Sequence, residues 1–231
     1  MLEKPPLRGI SSMATRQVLG QLVSTFVARS GMAVVFESVG GVDAAKRVWA
    51  GEAFDLVVLA ADAIDKLVDA GRAIGGTRVD LVRSGVAVAV RAGSPLPDLS
   101  TEDSTRRAVL AAPTIGYSTG PSGVALLKLF ERWGVAQQLA SRLAQAQPGV
   151  PVGAMVARGD VALGFQQLSE LMHVEGVAVA GPLPDAIQIE TIFSGAVCAT
   201  TARASDVREF LAFMASPECD AEKRRQGMAP A

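Results

Sequence analysis

Short apolar runs alternate with amphipathic segments along the whole chain, and the amphipathic segments close on glycine. The runs AVVFESV (33–39), DLVVLA (55–60), GVAVAV (85–90), TIGY (114–117), ALGF (162–165), VAVAG (177–181) and IFSGAVCAT (192–200) have the length and β-branched content of buried strands. Between them TRQVLGQLVSTFVARSG sets Val18, Leu22, Val23 and Phe26 on one helical stripe and ends at Gly31. Asp43 and Asp62 stand where caps would open the next two helices, which end at Gly51 and Gly71. Further helices are expected from Pro121-Ser122 to Gly134 and from Val150 to Gly159. This order of strand, small-residue turn, helix and glycine is that of an α/β domain with a largely parallel sheet. The stretch 92–107, with two prolines and a charge cluster, reads as an exposed loop leading into a short helix.

Composition narrows the chemistry. In 231 residues, 22 Lys and Arg face 23 Asp and Glu, so no basic excess points to a nucleic-acid partner. One His and two Cys cannot supply a four-ligand structural zinc site, and neither a metal nor another cofactor is expected. Cys198, in an apolar run, and Cys219, in a charged helical pattern, read as buried thiols and not as a disulfide. Trp49, Trp133 and Phe130 sit on helical stripes among apolar neighbours and are expected in the core. The opening MLEKPPLRGISS lacks the apolar stretch of a leader, and nowhere does a run of about 18 apolar residues occur. The expectation is no membrane insertion, with a periplasmic location if a leader has been removed and a cytoplasmic one otherwise.

The turns before the helices carry the chemical signal. Ser11 and Ser12 precede the first helix; Gly40, Gly41 and Val42 lie at the second; Ala60, Ala61 and Asp62 at the third; Ser118 to Gly123 at the fourth. A helix start offers unpaired N–H groups and a partial positive charge, and Ser or Gly lets an anion approach closely. Each turn alone reads as an ordinary cap; only the set of them raises the reading of an anion site.

In their order, ISSMAT (10–15), VFESVGG (35–41), AGEAFDLVVLAADAIDKLVDAG (50–71), GVAVAVRAGSP (85–95), PSGVALLKLFERWGV (121–135), VARGDVALGFQQLSEL (156–171) and FLAFMASPE (210–218) resemble the type 2 periplasmic solute-binding proteins. The likeness is to the branch that includes molybdate-binding proteins of ABC importers, and it covers nearly the whole chain. It implies a two-lobed α/β periplasmic-binding-protein-like fold with two crossing strands, residues 1–86 with 192–231 in one lobe and 87–191 in the other. It also implies a monomer that takes a small anionic ligand in the inter-lobe cleft and serves the membrane component of an importer.

Carried over by position, Ser11 and Ser12 match the family's first serine turn, and Gly40, Gly41 and Val42 fall on a serine-rich one. Ser122 and Gly123 match a Pro-Ala-Gly turn, Gly149 and Val150 a turn that supplies an amide, and Gln167 replaces an anion-contacting Tyr. Fewer hydroxyls and the loss of that Tyr weaken a tetrahedral oxyanion, while Gln166 and Gln167 with Ser and Gly amides suit an organic carboxylate at least as well. Arg83 and Ser84 stand before the first crossing strand, within reach of the cleft mouth.

The chain is also similar to aconitate isomerase, whose reaction moves a proton beside a carboxylate and needs a general base. Candidates for that base are Glu37, Asp62, Tyr117 and His173, although Asp62 reads first as a cap and His173 as a surface residue. A weaker alternative is a ligand-sensing domain, because the lobe pair resembles the effector domain of LysR-type regulators; no helix-turn-helix segment accompanies it.

Overall fold

A computed structural model describes residues 4–147 and 149–231. Along the chain run β1 (Leu7–Ser12), α1 (Arg16–Ser30), β2 (Val34–Val39), α2 (Gly41–Trp49), β3 (Leu56–Ala60), α3 (Ala61–Asp69) and β4 (Val79–Arg91). There follow α4 (Glu102–Ala111), β5 (Ile115–Tyr117), α5 (Pro121–Arg132), α6 (Ala136–Leu139), β6 (Leu143–Gln145), α7 (Val152–Arg158), β7 (Leu163–Gln167) and α8 (Leu168–Leu171). The chain closes with β8 (Val177–Pro182), β9 (Glu190–Val197), α9 (Ala204–Ala215), α10 (Asp220–Arg225) and β10 (Ala229–Pro230). It forms two compact units: the chain up to Arg83 together with Ile192–Ala231, and Ser84–Thr191. It passes from the first to the second within β4 and returns within β9.

In the first unit the strand order is β2-β1-β3-β9-β4. β1 runs parallel to both β2 and β3, whereas β9 lies antiparallel to β3, with Leu56 opposite Val197 and Ala60 opposite Phe193. The sheet is therefore mixed where the sequence pattern suggested a mainly parallel one, because the returning strand β9 inserts between elements laid down before the chain left the unit. β3 is buried at every position, as a strand covered on both faces must be. Leu56 and Val58 join Leu22, Phe26, Phe210 and Met214 under α1 and α9. Val57 and Leu59 face the other way, onto Ala44, Val48, Ile64 and Leu67 of α2 and α3.

In the second unit β5 lies parallel to β6 and β7, and β4 pairs antiparallel with β7 and β8. Val86, Val88 and Val90 pack with Leu126, Phe130 and Phe165, while Ala87 and Ala89 face Leu171. Gly164 has no room for a Cβ beneath Val152 and Val156, so its bare backbone lets α7 lie directly on the sheet.

Local readings hold unevenly. The five glycines expected to end helices, Gly31, Gly51, Gly71, Gly134 and Gly159, all adopt positive φ between 66 and 83°. α1 buries Leu19 in place of Val23, which is only partly covered. Asp43 and Asp62 are not caps: α2 is capped at Gly40 and α3 at Ala60, because each strand turns straight into its helix and the acids fall in the first turn. Trp49 is 53% exposed and not core. The buried stripe of α2 is Ala44 and Val48, and the residue after Val48 points about 100° away from it. Phe130 is fully buried, and Trp133 packs at the edge of the same cluster while donating from Nε1 to Glu102 at 2.6 Å. Cys198 and Cys219 are buried free thiols.

Candidate functional site

The carboxyl ends of the parallel strands in each unit lead into helices, and the residues at those ends are mainly small. In the first unit the register sets Ser11 opposite Ser38, Ser12 opposite Val39, and Ser11 opposite Val58. The starts of α2 and α3 therefore emerge beside Ser12. Ser12 Oγ accepts from the Ala14 amide at 3.3 Å, which caps the short 3-10 turn that opens α1. A Cβ on Gly41 would stand 3.6 Å from that same oxygen, so glycine there leaves the space before the hydroxyl clear. The first backbone bond of α2 runs from the Ala44 N–H to Gly40 O at 2.9 Å, which places the amides of Gly41, Val42 and Asp43 ahead of it. Ser11 is fully buried, and its hydroxyl shares a 2.8 Å bond with Ser38 Oγ. The Val42 side chain is exposed.

In the second unit, Tyr117 at the end of β5 is level with Gln145 and Phe165 on its neighbours. The turn that follows is braced by Ser118 Oγ and Ser122 Oγ at 3.1 Å and enters α5 at Pro121. Gly123 is packed against the Ser118 carbonyl. Gly149 adopts φ 79°, and the Val150 amide donates to Gln147 O at 2.9 Å, so that amide is used inside its own turn.

Gln166 and Gln167 are both 4% exposed and point to opposite faces of β7. Gln166 Oε1 accepts from the Gly153 amide at 3.1 Å, and Nε2 donates to Glu170 Oε1 at 2.8 Å. The Gln167 carboxamide satisfies both its ends with its nitrogen on Ser84 O (3.0 Å), Ser84 Oγ (2.8 Å) and Gly85 O (3.2 Å) and its oxygen on Thr191 Oγ1 (3.0 Å). Both amides are thus bound within the protein. Ser84 is buried in β4, whereas Arg83 is exposed and donates from Nε to Pro230 O.

The candidate bases are placed very differently. The Arg47 guanidinium grips Glu37 at 2.5 and 2.9 Å and also holds Glu52, which keeps the Glu37 carboxyl below its usual range and makes it a weak base. Asp62 is exposed beside Lys66 at 3.6 Å. Tyr117 lies against the apolar cluster of its unit, with its ring edge beside Gly123. His173 is exposed just beyond α8.

Sequence reasoning passed over Glu170. Burial pushes its carboxyl up to about 7 against the opposing effect of the Gln166 N–H. The signal was the spacing of four between Gln166 and Glu170 in the otherwise mostly apolar GFQQLSEL.

Among the described residues no group of three or more His, Cys, Asp or Glu could hold a metal, and no helix is long and apolar enough to cross a membrane. Strand ends that feed directly into Ser- and Gly-bearing helix starts, in two units joined by two strands, define an α/β protein of the solute-binding class. The family model for bacterial extracellular solute-binding proteins matches residues 7–229, and the chain belongs to that family.

An aconitate isomerase from Pseudomonas sp. is 38% identical over 185 residues, covering 80% of this chain and 70% of the relative. The periplasmic molybdate-binding protein of Azotobacter vinelandii superposes with a TM-score of 0.80 at 21% identity, over 96% of this chain and 98% of its own. The sulfate-binding protein SubI of Mycobacterium tuberculosis gives 0.80 at 17% identity, over 99% and 88%. At these identities the two structures speak for the fold alone.

Proposed function

We propose that the protein binds a small organic anion bearing more than one carboxylate, through the helix starts at Ser12 and Gly41 of the first unit, as an extracytoplasmic solute-binding protein. The observation that carries this is the placement of Gly41 beside Ser12 Oγ, which sets a hydroxyl next to the first amides of α2, donors that an anion can use. A carboxylate matches such a site because it accepts several short hydrogen bonds in one plane. Delivery to an ABC importer is the corresponding role in transport.

Titration calorimetry against citrate, cis- and trans-aconitate, molybdate and sulfate tests the proposal. The expected result is saturable binding of a tricarboxylate at micromolar affinity, about 8 kcal/mol. Binding of molybdate or sulfate alone would replace the carboxylate with an oxyanion.

A second reading is turnover of the same ligand, the interconversion of cis- and trans-aconitate. The identity of 38% to an aconitate isomerase favours it. Proton NMR of either isomer incubated with the protein decides it, and an unchanged spectrum at high protein concentration would remove it.

A further inference from the structure

We propose that the free edge of β2 is a self-association surface, at which two copies of the chain join their first-unit sheets by antiparallel pairing of β2 with β2 about Phe36, in place of the monomer that the family likeness implies. The surface lies wholly within the first unit and is independent of the ligand. β2 is the last strand of its sheet: from Val34 to Val39 it pairs with β1, and among the described residues no strand covers its other side. The Leu7 amide donates to Ala33 O at 2.8 Å, which fixes the phase of that ladder. Backbone groups alternate in direction along a strand, so Ala33, Val35 and Glu37 turn theirs toward β1, while Val34, Phe36 and Ser38 turn theirs outward.

Natural edge strands are blunted: they are short, or carry a lysine, a proline or a bulge that turns a second strand away. β6, the edge strand of the second unit, has three residues and meets that rule. β2 runs for six residues, VVFESV, in unbroken register and carries none of these devices. Its one charge, Glu37, is held by Arg47 of the same chain, which removes most of its repulsion toward an incoming strand. A groove of about 550 Å³ opens beside the same strand, between Gln17, Gly20 and Val23 of α1 and Phe36 and Ser38 of β2. Gly20 presents bare backbone, with no atom within 4 Å of where a Cβ would stand, and this leaves room for the α1 of a second copy.

The edge is complementary to itself, as a two-fold interface requires. Antiparallel pairing about Phe36 sets Phe36 opposite its own copy and Val34 opposite Ser38 in both directions, so every outward N–H and C=O of the three residues is used. On the α2 face the same register sets the half-exposed Val35 of each copy against Glu37 of the other, and no like charges stand opposite one another. On the α1 face it brings the two partly buried Phe36 rings together beside the groove. An unrelated extended segment would gain the backbone bonds but not this matching of side chains on both faces.

Sedimentation velocity of the full chain across the micromolar range tests the pairing. The expected result is a reversible monomer–dimer equilibrium. V35E sets a second glutamate opposite Glu37 at both symmetry-related positions and should raise the dimer Kd by about tenfold or more. V35K sets a lysine opposite Glu37 and should leave the Kd within about 3-fold of the wild type. Val35 is exposed, so neither change disturbs the core, and an unchanged circular dichroism spectrum confirms that each variant is folded. A wild type that stays monomeric throughout overturns the proposal. A dimer that V35E leaves intact, or that V35E and V35K weaken equally, also overturns it, because the association then runs through other contacts.

Discussion

The carbonyl oxygen of Ser118 occupies the space that a Cβ on Gly123 would need. The turn leading into α5 can close only over a bare backbone, and it is this closure that brings the Ser118 and Ser122 hydroxyls within 3.1 Å. Replacing Gly123 by Ala must push the turn open. The expected cost is about 1–3 kcal/mol in urea denaturation. A G123A protein of unchanged stability would show that the turn is not held this way.

Ser12 makes a separable contribution. Removing its hydroxyl in S12A deletes the bond from the Ala14 amide, worth about 1 kcal/mol of stability. It also deletes a donor at the proposed anion site. A hydrogen bond to a charged group is worth about 1.5–3 kcal/mol, so ligand affinity should fall by about tenfold or more. S11A, whose hydroxyl is bound to Ser38 inside the protein, should lose stability while keeping ligand affinity. Equal affinity loss in the two variants would contradict this division of labour.

The packing of the first unit converges on Phe210, fully buried with its ring centroid 4.8 Å from that of Phe26 and 6.2 Å from that of Phe36. F210A removes the ring common to these pairs and should cost about 3–5 kcal/mol, read as a lower urea midpoint at unchanged slope.

What the sequence made legible was whatever local pattern decides. β7 is an apolar run closed by a helix start, and the glycine helix ends follow from backbone sterics, so both could be read directly. β1 could not: LRGISS has the composition of a turn, and it becomes a strand only through its parallel partners β2 and β3. Its Gly9 is required because the Phe36 ring lies where a Cβ would go, a contact invisible in either segment alone. Ser12 and Gly41 were legible as residues at helix starts because capping chemistry is local. The burial of Glu170 was not, since an acid in an amphipathic segment looks solvated until the strands and helices around it bury it. Gln166 and Gln167 were legible as polar residues at a strand end, but not as amides already bound to Glu170, Ser84 and Thr191.

Cysteine reactivity gives an independent check on the first unit. Burial, with the Asp55 charge nearby, pushes the Cys198 thiol up to about 12, and burial also raises Cys219. Neither should react with a thiol reagent at pH 8 in the folded protein, and both should react at once in denaturant. Rapid labelling of one thiol in the native state would show a local opening that the packing around Val197 and Met214 does not suggest.

The pH dependence of stability should carry the mark of Glu170. Below its ordinary value of 4.5 the carboxyl is protonated in the folded and unfolded chains alike and makes no difference between them. As pH rises from there, the unfolded chain ionises while the folded one keeps its proton until about 7, so unfolding releases a proton. The folded state therefore loses stability across that window, by up to about 3 kcal/mol, and the loss is complete above it. Acids held down by partners, such as Asp80 beside Ser194 and Arg78, act in the opposite sense and mainly at lower pH. Comparing the wild type with E170Q by urea denaturation from pH 4.5 to 8 isolates the one group. The expected result is that the variant gains on the wild type as pH rises through this range and levels off above about 7. Parallel curves would mean that Glu170 ionises normally in the folded protein.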